Sequence, residues 1–270
     1  MVAINQELQQ KDPSFTLCGN DRIHPDNDGH MVMAYLFLKA QGLAGKLVAD
    51  IRIDGAGKKV TRSDNCRVSD LSVSSDNLTF TYEAKSLPYP IDTSYYDNEK
   101  HTQADALSVI PFMDEMNYEG LSVSGLSDGY YGLTIGGEFI GRFTARELER
   151  GINMALLQNT PQYKQAMKIR QMNEERWLKE RKMREFYWVE YNLMRKTGML
   201  WACNEAAVDT LRKYRPHDIF LQWNGDLWLQ YMHKGIREDC VNEQQDLVNQ
   251  IYEQNKPIPL RIEIKKFTDL

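Results

Sequence analysis

Asp21 and His24 are the residues of this chain whose types and spacing could do acid–base chemistry. A histidine takes a hydroxyl proton efficiently only when its ring is held in one tautomer and one orientation. A carboxylate bonded to the other ring N–H does both, and it stabilises the imidazolium that forms. In Gly19-Asn20-Asp21-Arg22-Ile23-His24-Pro25 the two side chains stand three positions apart, near enough to meet across a tight loop. Pro25 biases His24 toward extended backbone and so helps to fix the direction of the ring. Taken alone, an Asp-x-x-His also reads as a polar loop with a helix cap at Asp28 and a surface histidine.

The elements on either side must hold that loop. Ile4 and Leu8 make a helical stripe ending near Lys11, and Pro13 then starts an extended run, Phe15 to Cys18, with the character of a buried strand edge. After the loop comes GHMVMAYLFLKAQG, apolar on nearly every side and closed by Gly42 as a C-cap. A helix with that pattern is expected to be buried.

Asp21-Arg22-Ile23-His24-Pro25, followed by Gly29-His30 and a helix ending Leu38-Lys39-Ala40-Gln41-Gly42-Leu43, resembles the last conserved block of the SGNH (GDSL-like) serine hydrolases. INQELQQ and PSFTL are similar to the helix and last strand that deliver that block. The resemblance implies that residues 1–45 are the terminal helix-strand-loop-helix fragment of a flavodoxin-like α/β domain. It implies serine ester hydrolysis, with His24 as general base and then general acid and Asp21 as its orienter. The substrate class it implies is an ester, including acylated carbohydrate. The rest of the chain resembles the β-plus-helical extension of some Bacteroidetes members. In that family the Gly-Asp-Ser nucleophile block and the Gly and Asn of the oxyanion hole all precede the Asp-x-x-His block. Twenty residues precede Asp21, too few to hold them. The expectation is therefore the carboxy-terminal part of a hydrolase, inactive alone. Its partner would be the missing amino-terminal part, from the same gene or a separate chain. Export to the periplasm or beyond is implied for the full-length form, although no signal peptide is visible in MVAINQELQQKDPSF.

Other residues invite chemistry less strongly. Gly125-Leu126-Ser127-Asp128-Gly129 spells the Gly-x-Ser-x-Gly elbow, but it lies between two strand-like runs, whereas an elbow needs a strand-to-helix turn. His30 reads as a packing or capping residue, and His101 as a histidine of an aromatic, turn-rich loop. His217 and His233 have no metal-ligand spacing around them. Trp223 and Trp228 could form a sugar-stacking platform, against the commoner reading of aromatics packed among helices. The basic run KERKMR reads as an exposed helix face, and Cys18, Cys66, Cys203 and Cys240 read as free thiols or core residues. No cofactor and no metal site is expected.

Residues 46–144 read as an antiparallel β module of short alternating segments, with Gly136-Gly137 as a two-residue hairpin turn. Residues 145–270 read as a helical module. It opens on a Thr144/Glu147 capping box and holds a long helix from Thr160-Pro161 to Gly198, with further helices near 203–214 and 237–254. LRIEIKKF closes it as a strand. The fold class is α+β. The net charge of -5 argues against a nucleic-acid partner, and the longest apolar run, Met31 to Leu38, is too short to span a membrane. A competing function makes residues 46–270 a non-catalytic accessory or carbohydrate-binding module on a hydrolase remnant. Homo-oligomer formation is a further expectation, because an apolar helix cut from its sheet would invite association.

Overall fold

Short apolar–polar alternations between turn residues make strands. In the computed structural model, which describes residues 1–19, 21–94 and 101–267, they assemble into two sheets. The chain opens with α1 (Val2–Gln9) and α2 (Asn27–Ala40). Four strands follow: β1 (Ala49–Asp54), β2 (Lys59–Asp64), β3 (Cys66–Val73) and β4 (Asn77–Ala84). A 3-10 turn at Gln103–Ser108 and the short α3 (Phe112–Glu115) lead into β5 (Glu119–Ser124). Next come the hairpin β6 (Tyr130–Ile135) and β7 (Glu138–Thr144), then α4 (Ala145–Arg150) and the two-residue β8 (Ile152–Asn153). Together with β9 (Leu260–Lys266), these elements belong to a first compact unit, Met1–Met167 with Lys256–Leu270.

One sheet has the order β2-β1-β5-β8 and the other β3-β4-β9-β6-β7. The second sheet is antiparallel throughout. The first is mixed, because β1 and β5 run parallel, with Ala49 opposite Glu119 and Asp54 opposite Ser124. The expected antiparallel module is corrected at this pair. Residue alternation marks a strand without marking its direction, and β2 to α3 form a long crossover that brings β5 back in the direction of β1. Ile51, Ile53, Leu121 and Val123 of one sheet share a core with Phe80, Leu133, Ile262 and Ile264 of the other. Burying each such side chain contributes about 1.5–3 kcal/mol.

A separate cluster joins Leu17, Val32 and Tyr35 to Ile110, Phe112 and Met113. The amino-terminal segment therefore packs on residues of its own unit. Among the described residues, 1–45 contain no sheet strand, and the run Phe15 to Cys18 contributes a single bridge, Cys18 to Pro25, which closes the loop on itself. The expected flavodoxin-like α/β fragment is corrected accordingly. Nor is α2 buried all round: Met31, Val32 and Tyr35 face inward, while Met33 and Phe37 are exposed.

The second unit, Lys168–Asn255, is helical. Thr160 caps α5 (Pro161–Val189) by accepting the Tyr163 N–H at 3.3 Å, and Pro161 supplies a preset φ at the first helical position. A π turn at Glu190–Met194 continues α5, and Gly198 ends the run at φ +76. Then follow α6 (Glu205–Tyr214), α7 (Ile219–Tyr231) and α8 (Lys234–Gln254). Phe186, Val189, Leu193, Leu211, Leu221 and Trp228 make the core of this unit. Tyr187 and Tyr191, in the same stretch, are exposed. Among the described residues no helix is long and apolar enough to cross a membrane.

Candidate active site

The loop after Leu17 is built by its own backbone. Cys18 bridges Pro25, the Gly19 N–H donates to the His24 carbonyl at 2.8 Å, and the Arg22 N–H donates to the Gly19 carbonyl at 3.0 Å. Arg22 takes the left-handed region at φ +58, which lets the chain reverse within so few residues. One Asp21 oxygen accepts the N–H groups of Ile23 at 2.9 Å and of His24 at 3.0 Å, an Asx turn that fixes the carboxylate within the loop. The other oxygen lies 2.5 Å from His24 Nδ1. The two residues expected to pair therefore do so.

The hydrogen bond from the His24 side chain, helped by the two backbone donors, holds the Asp21 carboxyl down at about 2. Asp21 is thus an anion at ordinary pH and can only accept, so Nδ1 of His24 carries the shared proton and Nε2 is left as the basic nitrogen. The His24 side chain is 83% exposed, which leaves Nε2 open to an incoming hydroxyl. Among the described residues, Asp21 is the ring's one hydrogen-bond partner.

The helix behind the loop holds it in place. Asp26, itself buried, is the N-cap of α2 and accepts the Asn27 N–H at 3.2 Å. The cap expected at Asp28 therefore sits two residues earlier. A Cβ on Gly29 would stand 2.0 Å from the Leu17 carbonyl oxygen, so only glycine lets the run before the loop lie against the helix. Asn5 of α1 accepts the Leu17 N–H at 3.1 Å and ties the same run from the other side.

Beside the loop lies a polar cleft of about 390 Å³, lined by Ser14, Thr16, Cys18, Arg22, Asp26 and His101. Arg22 donates to the Ser14 carbonyl at 3.3 Å. His101 Nδ1 lies 3.8 Å from a carboxylate oxygen of Asp28, and burial pushes that carboxyl up. Residue types alone did not bring His101, Asp28 and Arg22 together. The signal available was the aromatic, turn-rich loop that carries His101, but its return to α2 is a tertiary event.

Ser127 is held in a strand-to-strand turn, with Gly125 at φ +74 and Gly129 at φ +142 on either side. Lys266 Nζ donates to its hydroxyl oxygen at 2.7 Å, and the Tyr131 hydroxyl lies 3.1 Å away. No helix follows the serine, so its backbone lacks the bend of a nucleophile elbow. His30 is exposed on α2, and His217 is exposed at the end of the 3-10 turn Arg215–His217. His233 precedes α8, with its ring beside Cys203. Trp228 is fully buried, and Trp223 is exposed, edge-on to Phe220 with ring centres 5.5 Å apart, so the two tryptophans do not form one platform. Among the described residues no three His, Cys, Asp or Glu side chains are grouped to hold a metal.

Residues 167–256 match the family model of the diltiazem deacetylase C-terminal helical domain. A solved structure described as a gut microbial diltiazem-metabolizing enzyme superposes with a TM-score of 0.93 at 46% sequence identity. The match covers 99% of this chain and 60% of that one. No curated protein matches.

These findings overturn the SGNH resemblance. They also overturn both functions drawn from it, the carboxy-terminal part of an SGNH esterase and the accessory or carbohydrate-binding module on a hydrolase remnant. The family model that matches is that of the diltiazem deacetylase helical domain, and the structural match runs through nearly the whole chain, helical unit included. The resemblance rested on one short loop. An Asx turn followed by proline and a capped helix is a local solution that does not by itself specify a fold. The family model matches instead in the helical unit, residues 167–256, where periodicity was visible and no motif was.

Proposed function

We propose that this chain is part of a hydrolase that removes an acyl group, an acetyl group in the first instance, from an ester. His24 is its proton-transferring residue and Asp21 the residue that orients it. The observation that supports this most directly is the 2.5 Å contact between Asp21 Oδ2 and His24 Nδ1 in a loop that leaves the ring's other nitrogen open. In ester hydrolysis a proton must leave the attacking hydroxyl, and one must reach the departing alkoxide. A ring fixed with Nδ1–H on a carboxylate can do both through Nε2, with Asp21 offsetting the charge of the imidazolium in between.

The similarity to a diltiazem-metabolizing enzyme, and to a domain of a diltiazem deacetylase, supports an acetylated small molecule such as diltiazem as the substrate. The cleft lined by Arg22 and His101 lies next to the reacting loop and offers donors to a polar substrate group. The chain spans 60% of the length of the solved enzyme.

The test is acetate release from diltiazem and from p-nitrophenyl acetate by the full protein. His24→Ala should abolish turnover with the fold unchanged by circular dichroism. Full turnover by that variant would overturn the reading.

A further inference from the structure

Cys203 and His233 are thirty residues apart in sequence, and the helical unit brings Cys203 Sγ to 3.4 Å from His233 Nδ1. Both residues are exposed, Cys203 one position before the N-cap of α6 and His233 at the start of α8. Neither belongs to the reacting loop or its cleft.

The other three cysteines lack this combination. Cys66 is buried, and burial pushes its thiol up. Cys240 is buried and directs its Sγ to the Lys179 carbonyl at 3.6 Å. Cys18 is half-buried, and its Sγ faces the Ile23 carbonyl at 3.9 Å, which offers no base. A thiol reacts as its thiolate, so exposure together with a nitrogen base selects one site.

We propose that Cys203, assisted by His233, is a thiol–disulfide exchange site that takes a low-molecular-weight disulfide and holds one half of it as a mixed disulfide. The thiol proton passes to His233 Nδ1, and the thiolate attacks one sulfur of the reagent. The reagent's S–S bond breaks as the Cys203–sulfur bond forms. The second sulfur leaves with the electron pair and takes the proton from His233. Cys203 is thereby oxidised to the disulfide level, and the departing half is reduced to a free thiol, so no further oxidant is required. The same exchange in reverse, with a small thiol, restores Cys203.

The full chain is incubated with oxidised glutathione at neutral pH and sampled in time, with the adduct mapped by peptide mass spectrometry. Glutathione should appear first on Cys203. His233→Asn should slow that adduct by about tenfold at neutral pH and give it the steep rise with pH of an unassisted thiol. Cys203→Ser should remove the fast adduct and leave the circular dichroism spectrum unchanged. Unfolding in urea should erase the preference for Cys203. First labelling at Cys18, or a His233→Asn protein with the rate and pH profile of the parent, would overturn the proposal.

Discussion

The indole N–H of Trp228 donates to one carboxylate oxygen of Glu190 at 2.8 Å, and both side chains are buried in the core of the helical unit. The second oxygen of Glu190 accepts the backbone N–H of Trp201, also at 2.8 Å. Glu190 opens the π turn that follows α5, where the Arg195 N–H bonds back to the Glu190 carbonyl. Trp201 sits in the left-handed region at φ +63, a conformation that a bulky residue keeps only when its surroundings impose it. One carboxylate therefore joins the end of α5, the turn before α6, and α7.

Removing that carboxylate should destabilise the helical unit. Glu190→Ala leaves a buried indole donor and a strained backbone N–H without acceptors, a loss of about 2–4 kcal/mol. Glu190→Gln keeps one good acceptor and should cost less than half of that. Urea unfolding followed by tryptophan fluorescence reads both variants. Equal stability of Glu190→Ala and the parent would show that the carboxylate does not tie these segments together.

Gly29 tests how the Asp21–His24 loop is held. A methyl group at this position would press on the Leu17 carbonyl oxygen and reach Pro25 Cβ at 3.1 Å, so Gly29→Ala must push the loop away from α2. Overpacking of this kind costs about 1–3 kcal/mol. The expected result is a lower Tm, together with a fall in ester turnover larger than the stability change explains. A Gly29→Ala protein with the parent's Tm would mean that the close approach is easily relieved.

Where a feature was written locally, the sequence revealed it. Gly136 and Gly137 adopt φ +59 and +85 in the β6–β7 turn, as a two-residue hairpin needs. Thr144 and Glu147 form the reciprocal capping box, and β9 buries alternate residues. The Asp21–His24 contact is equally local, spanning one turn. Features that depend on distant partners were not visible. β2 is exposed along nearly its whole length and carries no apolar alternation, because it is an edge strand with little to bury. The parallel pairing of β1 with β5 and the approach of His101 to Asp28 join positions some 70 residues apart, and no spacing rule reports them. α7 has Leu221 and Trp228 inward but Ile219, Phe220 and Trp223 exposed, which blurs the periodicity that would have marked it as a helix.

The pH dependence of turnover should separate the roles of the Asp21–His24 pair. Asp21 is held at about 2, below its ordinary 3.8, chiefly by the His24 hydrogen bond. Because the folded value is depressed, its contribution is present above the ordinary carboxylate range and is lost only as pH falls through about 2. Above about pH 4 Asp21 stays ionised, so its own protonation should not shape the activity profile in that range. Asp21→Asn should lower kcat by about 10³–10⁴ while leaving KM near the parent value. Measuring kcat and kcat/KM on an acetyl ester across pH checks both expectations. A small effect of Asp21→Asn would remove Asp21 from its orienting role.

Glu119 should make the β unit less stable as pH rises. It is completely buried at the start of β5, where one oxygen accepts from the Tyr82 hydroxyl at 2.8 Å and from Gln162 Nε2 at 3.2 Å. Among the described residues, its other oxygen and the Gln162 carbonyl oxygen have no hydrogen-bond partner. Two unpaired buried acceptors on neighbouring residues are relieved if Glu119 carries a proton, and burial does push its carboxyl up to about 7 from the ordinary 4.5. With the folded value raised, the folded state holds one proton more than the unfolded chain between those limits. Stability is therefore greatest below about pH 4.5, declines as pH climbs toward about 7, and is flat beyond it. The loss is on the order of 3 kcal/mol. Glu119→Gln, which keeps an acceptor for Tyr82 and cannot ionise, should flatten that decline and unfold at higher urea than the parent at pH 8. A parent and variant with parallel midpoint-against-pH curves would show that Glu119 does not change its protonation on unfolding.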